Sequence, residues 1–137
     1  MSEQEQTNAL ATFKNAGKNF TTLKTDTLEA KKKLFNARKN CDVMLKDIKG
    51  QEIEVQDIFF SEYEKKDLDE NGNPRIGHTT ILFGVDGKTY VTASNYFFNT
   101  IAEILSYSNG KIEQPIKLKI VGKPTNGKGE ALSCEWL

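Results

Sequence analysis

The sequence predicts a mostly β fold, a small Greek-key barrel of five main strands with one helix, and three stretches carry that prediction. Glu52-Ile53-Glu54-Val55-Gln56-Asp57-Ile58 alternates polar and apolar residues with a period of two, the pattern of a half-buried strand, and Phe59, Phe60 and Tyr63 continue it. His78 to Phe83 and Lys88 to Ala93 are rich in β-branched and aromatic residues, and Asp86-Gly87 between them is a strong hairpin signal. Ser94 stands where a helix N-cap belongs. Phe97, Phe98, Ile101, Ile104 and Leu105 then recur at helical spacing until Asn109-Gly110 stops the run, which predicts a helix over about 94–108.

The remaining elements follow in order. Residues 1–26 are rich in Thr, Asn, Gln and Lys, with scattered Leu10, Phe13, Phe20 and Leu23, and read as an N-terminal arm, flexible or self-associating. Leu34 to Ala37 and Cys41 to Leu45 are expected as short strands around the polar turn Arg38-Lys39-Asn40, and Lys49-Gly50 turns the chain into the alternating strand. Asp67 to Gly77, with Asn71-Gly72-Asn73-Pro74 inside it, is expected as an exposed loop. After the helix, Pro115 opens a last pair of strands, Ile116 to Val121 and Ala131 to Leu137, around a loop rich in Gly, Lys and Asn. One domain, 27–137, thus follows the arm. A helix between the third and fourth main strands is the connectivity of an OB-fold-like barrel, whose face and loops commonly hold single strands of nucleic acid. Fold alone does not assign function.

Composition narrows the classes. A chain of 137 residues with 37% hydrophobic content supports one core. Apolar runs as short as Ile81-Leu82-Phe83 cannot span a membrane, and Met-Ser-Glu-Gln-Glu-Gln is no secretory leader, so Cys41 and Cys134 are expected as reduced thiols. Lys and Arg number 19 against 19 Asp and Glu, a balance that argues at first against a nucleic-acid partner. The zero is a cancellation: residues 11–49 carry a local excess of six positive charges and residues 51–70 an excess of six negative.

Motifs for catalysis or metal are weak. Asp67-x-Asp69-x-Asn71-Gly72 begins like a calcium loop, but His78 stands at the twelfth position where a bidentate Glu belongs and Pro74 takes the eighth, so a solvated hairpin loop is the better reading. Gly122-x-x-x-x-Gly127-Lys128 resembles a phosphate loop without the following Ser or Thr and without a helix to follow, and reads as a basic hairpin turn. His78 is the one histidine, neither cysteine has an evident activating base, and the eight acids of 52–70 read as solvated. The expectation is no enzyme, no metal and no cofactor.

Aromatic residues beside cations carry more. Phe97 and Phe98 belong to the helix and its core. Tyr63 abuts Lys65 and Lys66, and Tyr90 lies two residues after Lys88, so a ring face and a cation occur together. Bases stack on such faces and phosphates pair with such cations, the basis of sequence-tolerant single-strand binding; packing of strand aromatics is the competing reading.

Several collinear stretches then resemble the small single-stranded-DNA-binding proteins of tailed Bacillus phages that replicate by protein priming. They are Asp26-Thr27-Leu28-Glu29, Lys33-Leu34-Phe35-Asn36-Ala37, the strand ending in Phe60 to Tyr63, Thr79-Thr80-Ile81-Leu82-Phe83 with Asp86-Gly87-Lys88-Thr89-Tyr90, the helix, Lys117-Leu118-Lys119-Ile120-Val121 and the final Gly-Lys-Gly hairpin. The resemblance implies an OB-type domain that coats single-stranded DNA in viral DNA replication without catalysis, in the host cytoplasm, with tyrosines stacking on bases. Tyr90 matches the motif best and Tyr63 next. The candidate DNA-binding set is Tyr63, Tyr90, Phe83, Lys65, Lys66, Lys88, Lys119 and Lys128, the lysines resting on their own chemistry. The expected partners are single-stranded DNA and, through residues 1–26, the protein itself, with no membrane. A protein-interaction barrel without a nucleic-acid role is the rival, and the arm is longer than the family leads one to expect.

Overall fold

In the computed structural model, which describes residues 19–24, 26–125 and 129–137, the elements in order are β1 (Phe20–Thr21), α1 (Leu28–Lys39), β2 (Val43–Met44), a 3-10 turn (Leu45–Ile48), β3 (Glu52–Leu68), β4 (Pro74–Gly84), β5 (Thr89–Thr92), α2 (Asn95–Tyr107), β6 (Ile116–Pro124) and β7 (Glu130–Trp136). The strands form one sheet in the order β2-β5-β4-β3-β6-β7, with β1 also paired to β3. This sheet curls into a half-barrel of the OB-like kind, so the mostly β, OB-fold-like expectation is met.

The long β3 holds the sheet together. From Val55 onward it pairs antiparallel with β4, from Val55↔Gly84 to Leu68↔Pro74, while its other edge serves β6 at Glu52–Val55 and β1 at Phe59 and Phe60. A register shift between Val55 and Asp57 changes which residues face inward. Beyond it Ile58 and Phe60 enter the main core with Leu82 of β4, Tyr90 of β5, Leu118 and Ile120 of β6, and Phe97, Phe98 and Ile101 of α2. Phe60 meets Phe98 edge-on at 4.8 Å and stacks on Phe20 at 5.9 Å. Such ring pairs add about 0.5–1.5 kcal/mol each beyond area burial. Phe59, Ile81 and Phe83 point the other way, into a second cluster closed by Ala37 of α1.

α2 forms where the sequence places it: the Ser94 hydroxyl accepts from the Phe97 amide at 3.1 Å, and Asn109 (φ 58) and Gly110 (φ 75) end the helix in left-handed conformations. Elsewhere the expectations need correction. Among the described residues there are two α-helices and not one, because α1 replaces the strand expected at Leu34 to Ala37, and of Cys41 to Leu45 only Val43 and Met44 pair, parallel to β5. The arm is not wholly apart from the fold, since Phe20 is 5% exposed within the core and β1 pairs with β3. Its residues 1–18 lie outside the described residues. The loop expected from Asp67 to Gly77 shrinks to a turn at 69–73, where the Asp69 carboxylate accepts from the amides of Asn71 (2.9 Å) and Asn73 (3.0 Å). Gly122 to Pro124 belong to β6, and residues 126–128 of the basic turn expected there lie outside the described residues.

Candidate nucleic-acid interface

The β3–β4 hairpin has two chemically different faces because successive strand residues point to opposite sides. On the α2 side, Glu62 lies 3.7 Å from His78 Nε2, and the His78 ring stacks on Phe98 at 4.0 Å with planes 2° apart. Alternation sends Glu64 to that same side. On the opposite side Asp57, Phe59, Ser61 and Tyr63 succeed one another along β3 beside Gly77, Thr79, Ile81 and Phe83 of β4. The acids at 62 and 64 are therefore turned away from the face that carries Tyr63.

Tyr63 is 40% exposed and is the cross-strand partner of Gly77, a buried glycine that the phenol ring covers. A β-carbon at Gly77 would come within 2.6 Å of the Tyr63 hydroxyl oxygen and 2.7 Å of ring carbon Cε2. The missing side chain thus gives one ring face a seat and leaves the other toward solvent. Lys65, half-buried, and Lys66, exposed, follow on the same strand near its second register shift, between Glu64 and Leu68.

The other expected residues fare differently. Phe83 is 1% exposed and Tyr90 5%, so neither offers a ring face to a base, and both are corrected to packing roles. Phe83 points to the Tyr63 face but α1 covers it; Tyr90 points into the main core. The Tyr90 hydroxyl donates to Asp86 Oδ2 at 2.7 Å. Burial first, and the Asp86 bond and charge second, push the Tyr90 phenol up to about 12. The same bond, with the Lys88 amide donating at 2.9 Å, holds the Asp86 carboxyl below its ordinary value. Lys88 itself is exposed in the β4–β5 turn. Lys119 lies between Glu52 and Glu135 in the sheet register, and Glu52 is eleven residues from Tyr63, roughly 35 Å along β3. Lys128 lies outside the described residues.

Sequence reasoning passed over α1. Its twelve residues carry Lys31, Lys32, Lys33, Arg38 and Lys39 against the single acid Glu29. The Lys33 ammonium stands 5.3 Å from the centre of the Phe83 ring and the Arg38 guanidinium 5.0 Å from that of Phe59, contacts that fix cations on the Tyr63 side of the sheet. Asp57 nearby is occupied: it accepts from the Thr22 hydroxyl at 2.8 Å, and burial raises its carboxyl against the pull of that bond and of Lys33. The overlooked signal was a run of strong helix formers behind the Thr27 cap, whose hydroxyl accepts from the Ala30 amide at 3.1 Å.

Among the described residues no group of three or more His, Cys, Asp or Glu side chains is placed to hold a metal ion, and no helix is long and apolar enough to cross a membrane. The arrangement offers an exposed ring beside strand lysines and, on the same side of the sheet, a helix dense in cations. Such a surface can stack bases and neutralise phosphates. No curated protein and no solved structure matches the chain. The family model described as phage single-stranded DNA-binding protein matches residues 14–134, nearly the whole sequence, including the hairpin that bears Tyr63 and all of α1. The chain therefore belongs to the phage single-stranded DNA-binding protein family, and binds single-stranded DNA in phage replication.

Proposed function

We propose that this protein coats single-stranded replication intermediates without strong sequence preference and without catalysis, in the host cytoplasm, by stacking bases on Tyr63 and pairing phosphates with Lys65, Lys66 and Lys88. Lys119 and Lys128 serve as more distant phosphate contacts. The observation that supports this most is the exposed Tyr63 ring seated over Gly77, on the side of the hairpin away from Glu62. Stacking is worth roughly 1–3 kcal/mol per base, so the Tyr63 ring supplies a share of the affinity that does not depend on net charge, in a chain whose net charge is zero.

Titration with unlabelled oligonucleotides tests the reading. Single-stranded DNA should quench the Tyr and Trp fluorescence and bind with a shallow salt dependence, while a duplex of the same sequence binds far more weakly. Equal affinity for duplex and single strand, or no binding at low salt, overturns it in favour of a protein-interaction barrel. An RNA arm measures the discrimination between the two sugars. Residues 1–26 are proposed to join neighbouring molecules on the strand. Removal of residues 1–18 should lower the mass measured in solution, and an unchanged mass disposes of that role.

A further inference from the structure

A groove of about 280 Å³ runs between α1 and the β4–β5 turn. Lys33, Asn36 and Asn40 line it from the helix side, and Gly84, Lys88 and Thr89 from the turn, with Phe83 at its floor. Each wall thus contributes an ammonium group, and the helix wall adds two carboxamides.

The acids around the groove are already committed. Asp42, the one carboxylate in its lining, accepts from the Thr89 amide at 2.9 Å and from the Thr89 hydroxyl at 3.1 Å. Asp86 accepts from the Tyr90 hydroxyl and the Lys88 amide. Among the described residues, Lys33 and Lys88 have no carboxylate within 4.0 Å, whereas Lys49, Arg75 and Lys117 elsewhere on the surface do. The Phe83 ring holds the Lys33 ammonium, which lowers the entropy lost when an anion is bound. Arg38, one helical turn and a residue beyond Lys33, stands over Phe59, and Phe59 is four residues from Tyr63 on the same strand face, roughly 13 Å away. Cations in no direct ion pair therefore continue from the groove toward the exposed ring, although Lys33 still feels Asp57 and Lys88 feels Asp86.

We propose that this groove is a phosphate-binding subsite for single-stranded DNA, in which Lys33 and Lys88 hold one stretch of backbone from the two walls while Asn36 and Asn40 present hydrogen-bonding groups to it. Arg38 then bridges the groove to Tyr63. The subsite rests on the single-strand reading above and deepens it: helix α1, not only the strands, contacts the DNA.

The test uses the full chain with the variants Lys88→Gln and Lys33→Gln/Lys88→Gln, and Lys111→Gln as a control away from the groove. Affinity for an oligothymidylate is measured across a salt series. Each phosphate contact on a single strand contributes about 0.7 to the slope of log affinity against log salt. The double variant should lose about 1.4 of that slope and Lys88→Gln about 0.7, with the control unchanged. Thermal unfolding checks that each variant is folded. If loss of Lys33 from the Phe83 ring unfolds the double variant, Lys33→Met, which keeps an unbranched side chain against that ring, decides the matter by its own loss of about 0.7 in slope. A double variant whose slope falls no further than that of Lys88→Gln, or a Lys33→Met slope equal to the wild type's, while the wild type binds, overturns the groove alone; failure of the wild type to bind single strands overturns both the groove and the function it rests on.

Discussion

Gly77 and Tyr63 act as a pair, because the ring can lie across β4 only where no β-carbon intervenes. Gly77→Ala is therefore a selective way to displace the ring without deleting it: Gly77 is not among the glycines at positive φ, so the alanine meets only the ring. The expected result is a loss of single-strand affinity of roughly 1–3 kcal/mol, comparable to Tyr63→Ala, with Tyr63→Phe close to wild type. Retained affinity in Gly77→Ala would remove Tyr63 from the interface. Tyr90 makes the opposite kind of prediction, one of stability. Its phenol is held neutral up to about 12 in the fold, against about 10 in an unfolded chain. Between those values the unfolded state binds fewer protons, so the stabilisation present below pH 10 is lost as pH rises through that window. Denaturant unfolding should show a steeper loss of stability across that window in the wild type than in Tyr90→Phe, because the buried Cys134 thiol, also pushed up to about 12, contributes equally to both. The two tyrosines also mark what the residue pattern reveals. Alternation correctly assigns Tyr63 to an exposed strand position, but it cannot say that Tyr90 faces the main core or that a helix lies over Phe83.

Among the elements, β3, the β4–β5 hairpin and α2 were legible because each has a strong local cause: a period of two, an Asp-Gly turn, or a Ser cap followed by apolar residues at helical spacing. α1 was not, because its only buried residue is Ala37 and two of its large apolar residues, Leu28 and Phe35, are exposed, so hydrophobic periodicity is faint. Propensity carries it instead: Leu, Glu, Ala, Lys and Arg fill most of 28–39, with Arg38 and Lys39 favourably placed in the last turn. The beginning of the sheet was hidden for a different reason. Phe20 and Thr21 form too short a strand to show alternation, and only pairing with the distant Phe60 and Phe59 fixes them there.

Over the whole molecule the zero net charge becomes a spatial arrangement. The basic surplus of the N-terminal third is concentrated on α1, on the Tyr63 side of the hairpin. The acids of 52–70 are largely engaged elsewhere: Glu52 with Lys117, Glu62 with His78, Asp67 with Arg75 and Asp69 with its own turn. Cancellation in the sum therefore coexists with a cationic side. A further consequence lies in how α1 is held. With one buried residue, Leu34 packed beside it and cations resting on ring faces at about 0.5–1 kcal/mol each, the helix is expected to open locally at much less cost than global unfolding. Its amide hydrogens should exchange with deuterium well before those of β3 and β4. A strand that binds only the closed helix shifts that opening equilibrium, so DNA should slow exchange in α1 more than anywhere else. Exchange in α1 as slow as in β3 before DNA is added would mean that the helix is as firmly built as the sheet beneath it.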